Sequence, residues 1–424
     1  MDDWDRVISF GALYEGLQKA QRNVMWKDSV SGYSLDGLEN TLKLKQELED
    51  GTYQISDYQR FMIHEPKTRE IVATRIRDRQ FQRSLCDNVL YRDMTRTFIH
   101  DNCACLRGKG VDFALNRMNT HLQRYYRKHG NQGWVLRCDI RHYFPETPHE
   151  VAKEAIRKRV KDPRCRKAAE DIVDSFGGDR GIGLGSQVSQ LVELAVLDPV
   201  DHYIKERLRI RHYVRYMDDF ILIHNDRAVL ENAKKEITAR VNALGLEMNR
   251  KTQISPLRNG IRFLKWRFIL TDSGKVIRRI SRQSVVKERR KLKKLAGKIR
   301  EGKIPEEYLW MSFQSWRANA MRGNAGRQIY EMEKLYNQLK EEIENGRKGK
   351  LGGAADEGGG KGGSCSSKMR QVGGQHCVCD TCGSGGHRRS DGDRTQRDVC
   401  NVGAECALHG GQPAEVSGER RAAV

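Results

Sequence analysis

The stretch from Tyr213 to His224 is the feature that most limits what this chain can fold into. Its residues run Tyr-Val-Arg-Tyr-Met-Asp-Asp-Phe-Ile-Leu-Ile-His, so two runs of β-branched and aromatic residues flank a short polar centre. This pattern predicts a β-hairpin whose turn presents two adjacent carboxylates, Asp218 and Asp219. A pair of acids in a turn is, by itself, more often a solvated loop than a reactive site. Other parts of the sequence are needed to distinguish a solvated loop from a reactive site.

A third acid ends a strand-like run upstream. The run Gly-Trp-Val-Leu-Arg-Cys-Asp-Ile contains Asp139 near its end, and a helix start follows it. Thr147 and Glu150 fit a Thr-x-x-Glu capping box, and Pro148 suits the first helical position. The sequence therefore predicts a strand that ends in an acid and turns into a capped helix.

These two segments resemble the catalytic motifs of reverse transcriptases. Tyr-Met-Asp-Asp between two strands is similar to their active-site hairpin, and the strand ending in Asp139 is similar to the first catalytic motif of the polymerase palm. The resemblance covers about residues 53–340. It implies a right-hand polymerase of the α+β class, with fingers, an antiparallel-sheet palm and a helical thumb. It also implies RNA-directed DNA synthesis with two Mg²⁺ ions, for which Mn²⁺ can substitute.

The resemblance assigns roles to the acids and to one lysine. Asp139, Asp218 and the backbone carbonyl of Ile140 are the expected metal ligands, with Asp219 supporting them. The stretch Leu-Glu-Met-Asn-Arg-Lys-Thr is similar to a family motif, slightly compressed. Its Lys251 is expected to bring a proton or a positive charge to the pyrophosphate leaving group, although a plain surface cation is the alternative.

Nucleotide binding is expected in the fingers and beside the first acid. Two short strand candidates, 61–64 and 71–74, flank residues 65–70 and form a basic hairpin in which Lys67 and Arg69 would grip the triphosphate. Ordinary exposed strand charges are the alternative. Phe144 lies five residues after Asp139, where reverse transcriptases carry an aromatic steric gate. A ring there would clash with a 2′-hydroxyl and favour deoxynucleotides, and a place in the core is compatible with that role.

The glycine-rich stretch Gly-Ile-Gly-Leu-Gly-Ser-Gln-Val-Ser-Gln resembles the loop that lies beneath the nascent base pair. The resemblance places Leu184 and Gly185 at the dNTP, and Ser189 and Gln190 at the nucleic acid. Most relatives have Pro-Gln-Gly and then Ser-Pro here. Leu184 with Ser189-Gln190 is similar to reverse transcriptases of diversity-generating retroelements, which copy RNA with many errors at adenines. Gly183 departs from their usual Pro, and drift within an accurate bacterial enzyme is the alternative.

Further nucleic-acid contacts are expected in the hairpin, the primer-grip region and the thumb. Residues 260–268 alternate apolar and cationic side chains, as a half-buried strand facing a backbone would require. The net charge of +21 indicates a polyanionic partner, because Lys and Arg gain affinity by displacing counterions from phosphates. A dense basic run can also be only a solvated face. The expected contacts are Tyr216, Met217, Lys265, Trp266, Arg289, Arg290 and Lys293.

The resemblance implies the order of the domains, and a shift to a Gly-rich composition after Gly346 marks the start of the tail. The expected parts are a helical extension (1–52), fingers (53–135), palm (136–274), basic helical thumb (275–345) and a Gly-rich, disordered C-terminal tail (346–424). The tail contains Cys379, Cys382 and His387, three of the ligands of a zinc knuckle. A structural Zn²⁺ site needs four, and Cys377 or Cys400 could supply the fourth. We expect disorder rather than Zn²⁺ there.

The chain lacks an apolar run of transmembrane length and a signal-peptide core, so we expect a cytoplasmic protein without a membrane partner. Five of its 11 cysteines scatter through the enzymatic part and are expected to be reduced thiols. The expected partners are template RNA, a primer, the RNA–DNA duplex and dNTPs, with a basic accessory protein if the retroelement interpretation holds. Group II intron-like, retron-type and phage-defence enzymes are alternatives. A catalytically silent RNA-binding protein is another, against which the intact acids argue.

Overall fold

A computed structural model describes residues 2–64 and 68–352. Its N-terminal part is helical, as expected. The first helices are α1 (Asp3–Ile8), α2 (Phe10–Ala20), α3 (Asp28–Leu35) and α4 (Gly37–Glu49). Helix α2 packs closely on the later helix α5 (Ile76–Leu85). A Cβ at Gly16 would lie only 2.6 Å from the carbonyl oxygen of Gln80, so this crossing requires glycine.

The predicted basic hairpin lies between α4 and α5 in the chain. Strands β1 (Gln59–Ile63) and β2 (Arg69–Ala73) pair antiparallel. Helix α5 then continues through a π-helical turn, Cys86–Leu90, into α6 (Tyr91–Thr95), and the long helix α7 (Val111–His129) follows.

A four-stranded antiparallel sheet forms the centre of the molecule. Its strands are β3 (Trp134–Asp139), β4 (His212–Tyr216), β5 (Asp219–His224) and β6 (Gln253–Pro256), in the order β4-β5-β3-β6. Side chains of a strand alternate between the two faces. Leu136 and Phe220 therefore enter one hydrophobic core, while Val135 and Ile221 enter another on the opposite face.

Helices between the strands cover the Leu136 face of this sheet. They are α8 (Tyr143–Glu146), α9 (His149–Arg157), α10 (Pro163–Asp174), α11 (Gln187–Val196), α12 (Asp198–His202) and α13 (Arg227–Ala243). Ile156, Ile172, Val188 and Ile237 all pack in the same core as Leu136. Helix α7 lies on the other face, where Leu115 and Leu122 meet Val135.

The predicted capping box before α9 is wrong. Pro148 is the N-cap residue of α9, which has no side-chain cap. The Thr147 hydroxyl instead donates to the carbonyl of Tyr143, at 2.8 Å, and lies 3.1 Å from a carboxyl oxygen of Glu193. Thr147 is fully buried, so its hydroxyl is satisfied by these partners.

A second sheet and three helices complete the described chain. They are β7 (Ile261–Phe263), β8 (Trp266–Leu270), β9 (Val276–Ile280), α14 (Arg282–Arg300), α15 (Glu307–Ala320) and α16 (Gly326–Gly352). The strands pair in sequence order, β7-β8-β9. Leu292, Phe313 and Met332 form the core between the three helices.

The five cysteines of residues 2–64 and 68–352 are all free thiols. Within the same residues, no helix is long and apolar enough to cross a membrane. The tail residues proposed as zinc ligands lie outside the described residues, and so does Lys67.

Candidate active site

The site begins at the predicted hairpin, which is present. Strands β4 and β5 pair with Tyr216 opposite Asp219, so Met217 and Asp218 alone form the turn. Met217 has a φ of +53°, in the left-handed region. Two-residue hairpin loops take a positive φ at their first position because their twist then matches that of the strands. The turn therefore holds Asp218 at the tip while Asp219 starts β5.

The third acid lies across the sheet from this hairpin. In the antiparallel pairing of β3 with β5, Asp139 is directly opposite Asp219. Side chains of directly opposed residues lie on the same face, with their Cβ atoms about 5 Å apart. The structure thus brings Asp139, Asp218 and Asp219 to one end of the central sheet.

Charge accumulates at this end of the sheet. Burial is the main cause that raises the pKa of Asp219 to about 6; Arg137 opposes this rise, and the nearby Asp218 and Asp139 add to it. The Arg137 Nε atom lies 3.5 Å from Oδ1 of Asp219, an ion pair too long for a good hydrogen bond. That buried Oδ1 has no hydrogen-bond partner. A bound cation would satisfy it.

The donor set suits a hard divalent cation. Carboxylate and carbonyl oxygens are the ligands of Mg²⁺, and the Ile140 carbonyl adjoins Asp139. The Arg141 amide donates a hydrogen bond to the carbonyl of Glu247, and the Asn249 amide donates to the carbonyl of Asp139. Neither bond uses the Ile140 carbonyl. Throughout the described ranges, no three His, Cys, Asp or Glu side chains stand close enough to hold one ion together. The residues fit Mg²⁺ by their chemistry and by the orphan oxygen of Asp219.

The turn that carries Lys251 is hydrogen-bonded to the backbone of Asp139. The amide of Asn249 donates to the carbonyl of Asp139 at 2.7 Å. The amide of Lys251 donates to the side chain of Asn249 at 3.1 Å, and the Thr252 hydroxyl lies 3.4 Å from the Asp139 amide. Lys251 itself is exposed. The structure therefore presents this cation on a tight turn next to the acids.

Phe144 and the glycine-rich loop are also brought together. The amide of Ile182 donates to the carbonyl of Phe144 at 2.9 Å. The Phe144 ring is half-buried against the core and packs edge-on to Tyr143. Leu184 is half-buried and Gly185 is exposed, with a φ of +114°. Both predicted roles of Phe144, gate and core, are compatible with this placement.

The packing around Gly183 explains why position 183 carries no side chain, where the expected residue was Pro. A Cβ at this position would lie 2.3 Å from the ring of Phe176. That ring is stacked on Tyr58, with centroids 4.9 Å apart. Phe176 thus occupies the space in which a side chain at position 183 would lie.

Two of the expected nucleic-acid contacts are wrong because their side chains are buried. Trp266 is 3% exposed and packs in the core beneath Gly323, and Ser189 is 1% exposed. Lys265 is exposed, in a turn where it and Leu264 both have positive φ. Arg289, Arg290 and Lys293 are exposed on α14, while Tyr216, Met217 and Gln190 are half-buried. Arg69 belongs to β2, but its side chain is not described.

Sequence reasoning missed a buried ion pair behind the hairpin. Arg215 on β4 and Asp201 on α12 are both fully buried, and their closest atoms are 2.6 Å apart. Alternation along β4 places Arg215 on the same face as Tyr213, toward the core, which was the available signal. No motif or spacing pointed to Asp201 as its partner.

Comparisons with known proteins give distant likenesses. No protein-family model matches the chain. Protein YkfC of Escherichia coli (strain K12) is 24% identical over 319 residues, which cover 62% of this chain and 83% of that protein. The chain is also similar to telomerase structures, of which it spans little more than half the length.

Two of these structures illustrate the range. Telomerase from Candida albicans in complex with the TWJ fragment of telomeric RNA is 11% identical, with a TM-score of 0.43 and coverage of 68% of this chain and 55% of that one. Apo telomerase from Candida tropicalis, truncated from the C-terminal domain, is 10% identical, with a TM-score of 0.42 and coverage of 57% and 60%. The function therefore has to be inferred from the residues of the site.

Proposed function

We propose that this chain is an RNA-directed DNA polymerase, a reverse transcriptase that adds deoxynucleotides to a primer on an RNA template. One observation carries the proposal: Asp139 pairs across the sheet with Asp219, beside Asp218 in a two-residue turn. This arrangement places two acids opposite each other on adjacent antiparallel strands and a third in the turn next to them. Nucleotidyl transfer uses such a set to hold divalent cations at the reacting phosphate.

The acids and Lys251 take the chemical roles. Asp139, Asp218 and the Ile140 carbonyl would hold two Mg²⁺ ions, with Asp219 supporting them. When bound, Mg²⁺ would stabilise negative charge on the attacking and departing oxygens. The primer 3′-hydroxyl attacks the α-phosphate in line, and pyrophosphate departs. Lys251, on the turn hydrogen-bonded to Asp139, supplies a positive charge or a proton to the pyrophosphate.

Phe144 and the basic surface account for the choice of substrate. The backbone bond from Ile182 holds Phe144 against the loop that carries Leu184. A bulky ring there would exclude a 2′-hydroxyl and so select dNTPs. The exposed Arg289 and Lys293 on α14 would bind phosphates of the RNA–DNA duplex.

Within this class, we propose an error-prone enzyme of a diversity-generating retroelement. Leu184 is the basis, because an aliphatic side chain in place of Gln removes a polar contact to the nascent pair. Such an enzyme would work with a structured template RNA and a small basic accessory protein. Group II intron-like, retron-type and phage-defence enzymes remain the alternatives within reverse transcriptases. The assembled acids disfavour a silent RNA-binding protein.

The test is Mg²⁺-dependent extension of a primer on an RNA template, with dNTPs and rNTPs compared. Asp218→Ala should abolish extension. Asp28→Ala is the matched control, because Asp28 is an exposed carboxylate on α3. Extension with dNTPs that only Asp218→Ala loses would support the proposal. Extension that survives Asp218→Ala, or that prefers rNTPs, would contradict it.

Sequencing of the products tests the finer proposal. Errors concentrated at template adenines, and reduced in Leu184→Gln, are expected for the diversity-generating class. Equal error spectra in the two proteins would exclude this role of Leu184. An even and low error rate would favour an intron-type or retron-type enzyme instead.

A further inference from the structure

The buried ion pair behind the hairpin is organised around one guanidinium group. Arg215 Nε lies 2.8 and 2.9 Å from the two carboxyl oxygens of Asp201, and Nη2 lies 2.6 Å from one of them. The Tyr213 hydroxyl donates to the same carboxylate at 2.5 Å. Both charged side chains have no exposed surface. The carboxylate is thus saturated by Arg215 and Tyr213.

The same guanidinium reaches two backbone carbonyls. Its Nη1 donates to the carbonyl of Met217 at 3.1 Å, and its Nη2 donates to the carbonyl of Leu194 at 3.1 Å. Met217 is the first residue of the hairpin turn, and Leu194 lies in helix α11. Arg215 therefore joins the turn, α11 and α12 through one rigid group.

The backbone of Arg215 is fixed as well. Its amide donates to the carbonyl of Asp101 and its carbonyl accepts from the amide of Cys103, both at 3.0 Å. Phe220 on β5 is its partner on the other side. The base of the side chain is therefore held in place, and the position of its far end depends on Asp201.

A buried ion pair is weak evidence for a stabilising role. Taking two charges out of water costs several kcal/mol, and well-packed apolar residues often replace such a pair with no loss of stability. Geometry is the better explanation here. Met217 has a φ of +53°, a conformation that costs a non-glycine residue on the order of 1–3 kcal/mol unless its surroundings hold it. The bond from Arg215 holds the carbonyl of that residue.

We infer that Arg215, oriented by Asp201, is a positioning residue that fixes the peptide between Met217 and Asp218. That peptide sets the direction in which the Asp218 carboxylate leaves the turn toward Asp139. The inference rests on the proposed function in so far as Asp218 is taken as a metal ligand. Arg215 touches neither substrate nor metal in this role and acts only through the turn.

The test removes the whole polar group while keeping the core filled. The triple variant Asp201→Leu, Tyr213→Phe, Arg215→Met leaves no unpaired side-chain charge or hydroxyl, so it should fold with nearly unchanged thermal stability. We expect weaker Mn²⁺ binding, measured by electron paramagnetic resonance on the protein alone. In primer extension, kcat should fall by about 100-fold, with a KM for dNTP close to that of the wild type.

A second buried pair provides the matched control. Arg159 and Asp198 lie 2.8 Å apart and are nearly buried, and no bond joins them to the hairpin turn. The variant Arg159→Met, Asp198→Leu should keep the Mn²⁺ affinity and kcat of the wild type. Arg215→Lys covers the case in which the triple variant does not fold. It keeps the charge but cannot span Asp201 and both carbonyls, and it should show the same loss of Mn²⁺ affinity.

The outcomes separate the inference from the proposed function. A folded triple variant with wild-type Mn²⁺ affinity and kcat would overturn the inference and leave the polymerase proposal standing. A wild-type protein that binds Mn²⁺ but extends no primer would overturn the polymerase proposal, while the Mn²⁺ affinities of the variants would still decide the inference. A wild-type protein that binds no Mn²⁺ would overturn both.

Discussion

At the residue scale, Gly183 shows how one missing side chain determines a neighbouring contact. The ring of Phe176 lies where a Cβ at position 183 would be, at 2.3 Å, and it stacks on Tyr58 of the segment that leads into β1. The Tyr58 hydroxyl also lies 2.6 Å from the Ser175 hydroxyl. The absence of a side chain at 183 thus lets the chain after α10 and the segment before β1 share an aromatic stack beside the glycine-rich loop.

We predict that Gly183→Ala destabilises the protein by about 1–3 kcal/mol, because the added methyl group overpacks the stack. The measurement is the free energy of unfolding in urea. In a Phe176→Ala background the same change should cost almost nothing, since the ring that it meets is gone. Gly11→Ala is the control, because a Cβ there meets no atom within 4 Å. An equal cost of Gly183→Ala in both backgrounds would show that the ring is not the cause.

At the scale of elements, the contact between α14 and α15 contains a buried acid. Glu288 on α14 is 8% exposed and accepts a hydrogen bond from the Ser312 hydroxyl on α15 at 2.8 Å. Burial raises the pKa of Glu288, and Ser312, Lys291 and Lys287 only partly oppose this. The carboxylate is therefore less favourable in the folded protein than in the unfolded chain.

The sign of the pH effect follows from that shift. Where the folded pKa lies above the unfolded one, the folded protein binds more protons, and Glu288 lowers stability as the pH rises through the folded pKa. We predict that Glu288→Gln raises the melting temperature at about pH 7, and that its advantage shrinks toward about pH 4, where Glu288 is protonated. Glu341→Gln, on the exposed face of α16, should show no such pH-dependent gain. A gain that grows toward acid pH would contradict the burial argument.

The elements themselves were largely predictable from the sequence. The hairpin expected at 213–224 is present, because its two runs of β-branched and aromatic residues and its short polar centre are local signals. The register that sets Asp139 opposite Asp219 joins two strands that are far apart in the chain, so no local signal determines it.

What the sequence could not supply is the identity of distant partners. Thr147 fitted a capping box by spacing, but its hydroxyl turns to Glu193, which is 46 residues away. Trp266 fitted a half-buried strand, but only the packing of Gly323 against its ring shows that it is core. Arg215 and Asp201 meet because α12 passes behind β4. Such pairs are determined by the packing of whole elements, which no short pattern encodes.

At the scale of the whole molecule, the charge distribution bears on the binding of nucleic acid. The chain carries a net charge of +21. Helix α14 buries Leu292 and Ala296 against its neighbours and exposes its cations. A helix with this arrangement can hold a polyanion without losing its core, because the two tasks fall on different faces.

We predict that neutralising Arg289, Arg290 and Lys293 together to Gln lowers the salt dependence of RNA–DNA duplex binding. If each of the three meets one phosphate, the slope of log K against log[salt] should fall by about 2 to 3, because each lost phosphate contact removes nearly one released counterion. The measurement is fluorescence anisotropy of a labelled duplex over a salt series. The control neutralises three exposed lysines of the α9–α10 region, namely Lys158, Lys161 and Lys167. Equal slope changes in the two variants would mean that duplex binding depends on net charge alone. A slope change confined to the α14 variant would place the duplex along this helix.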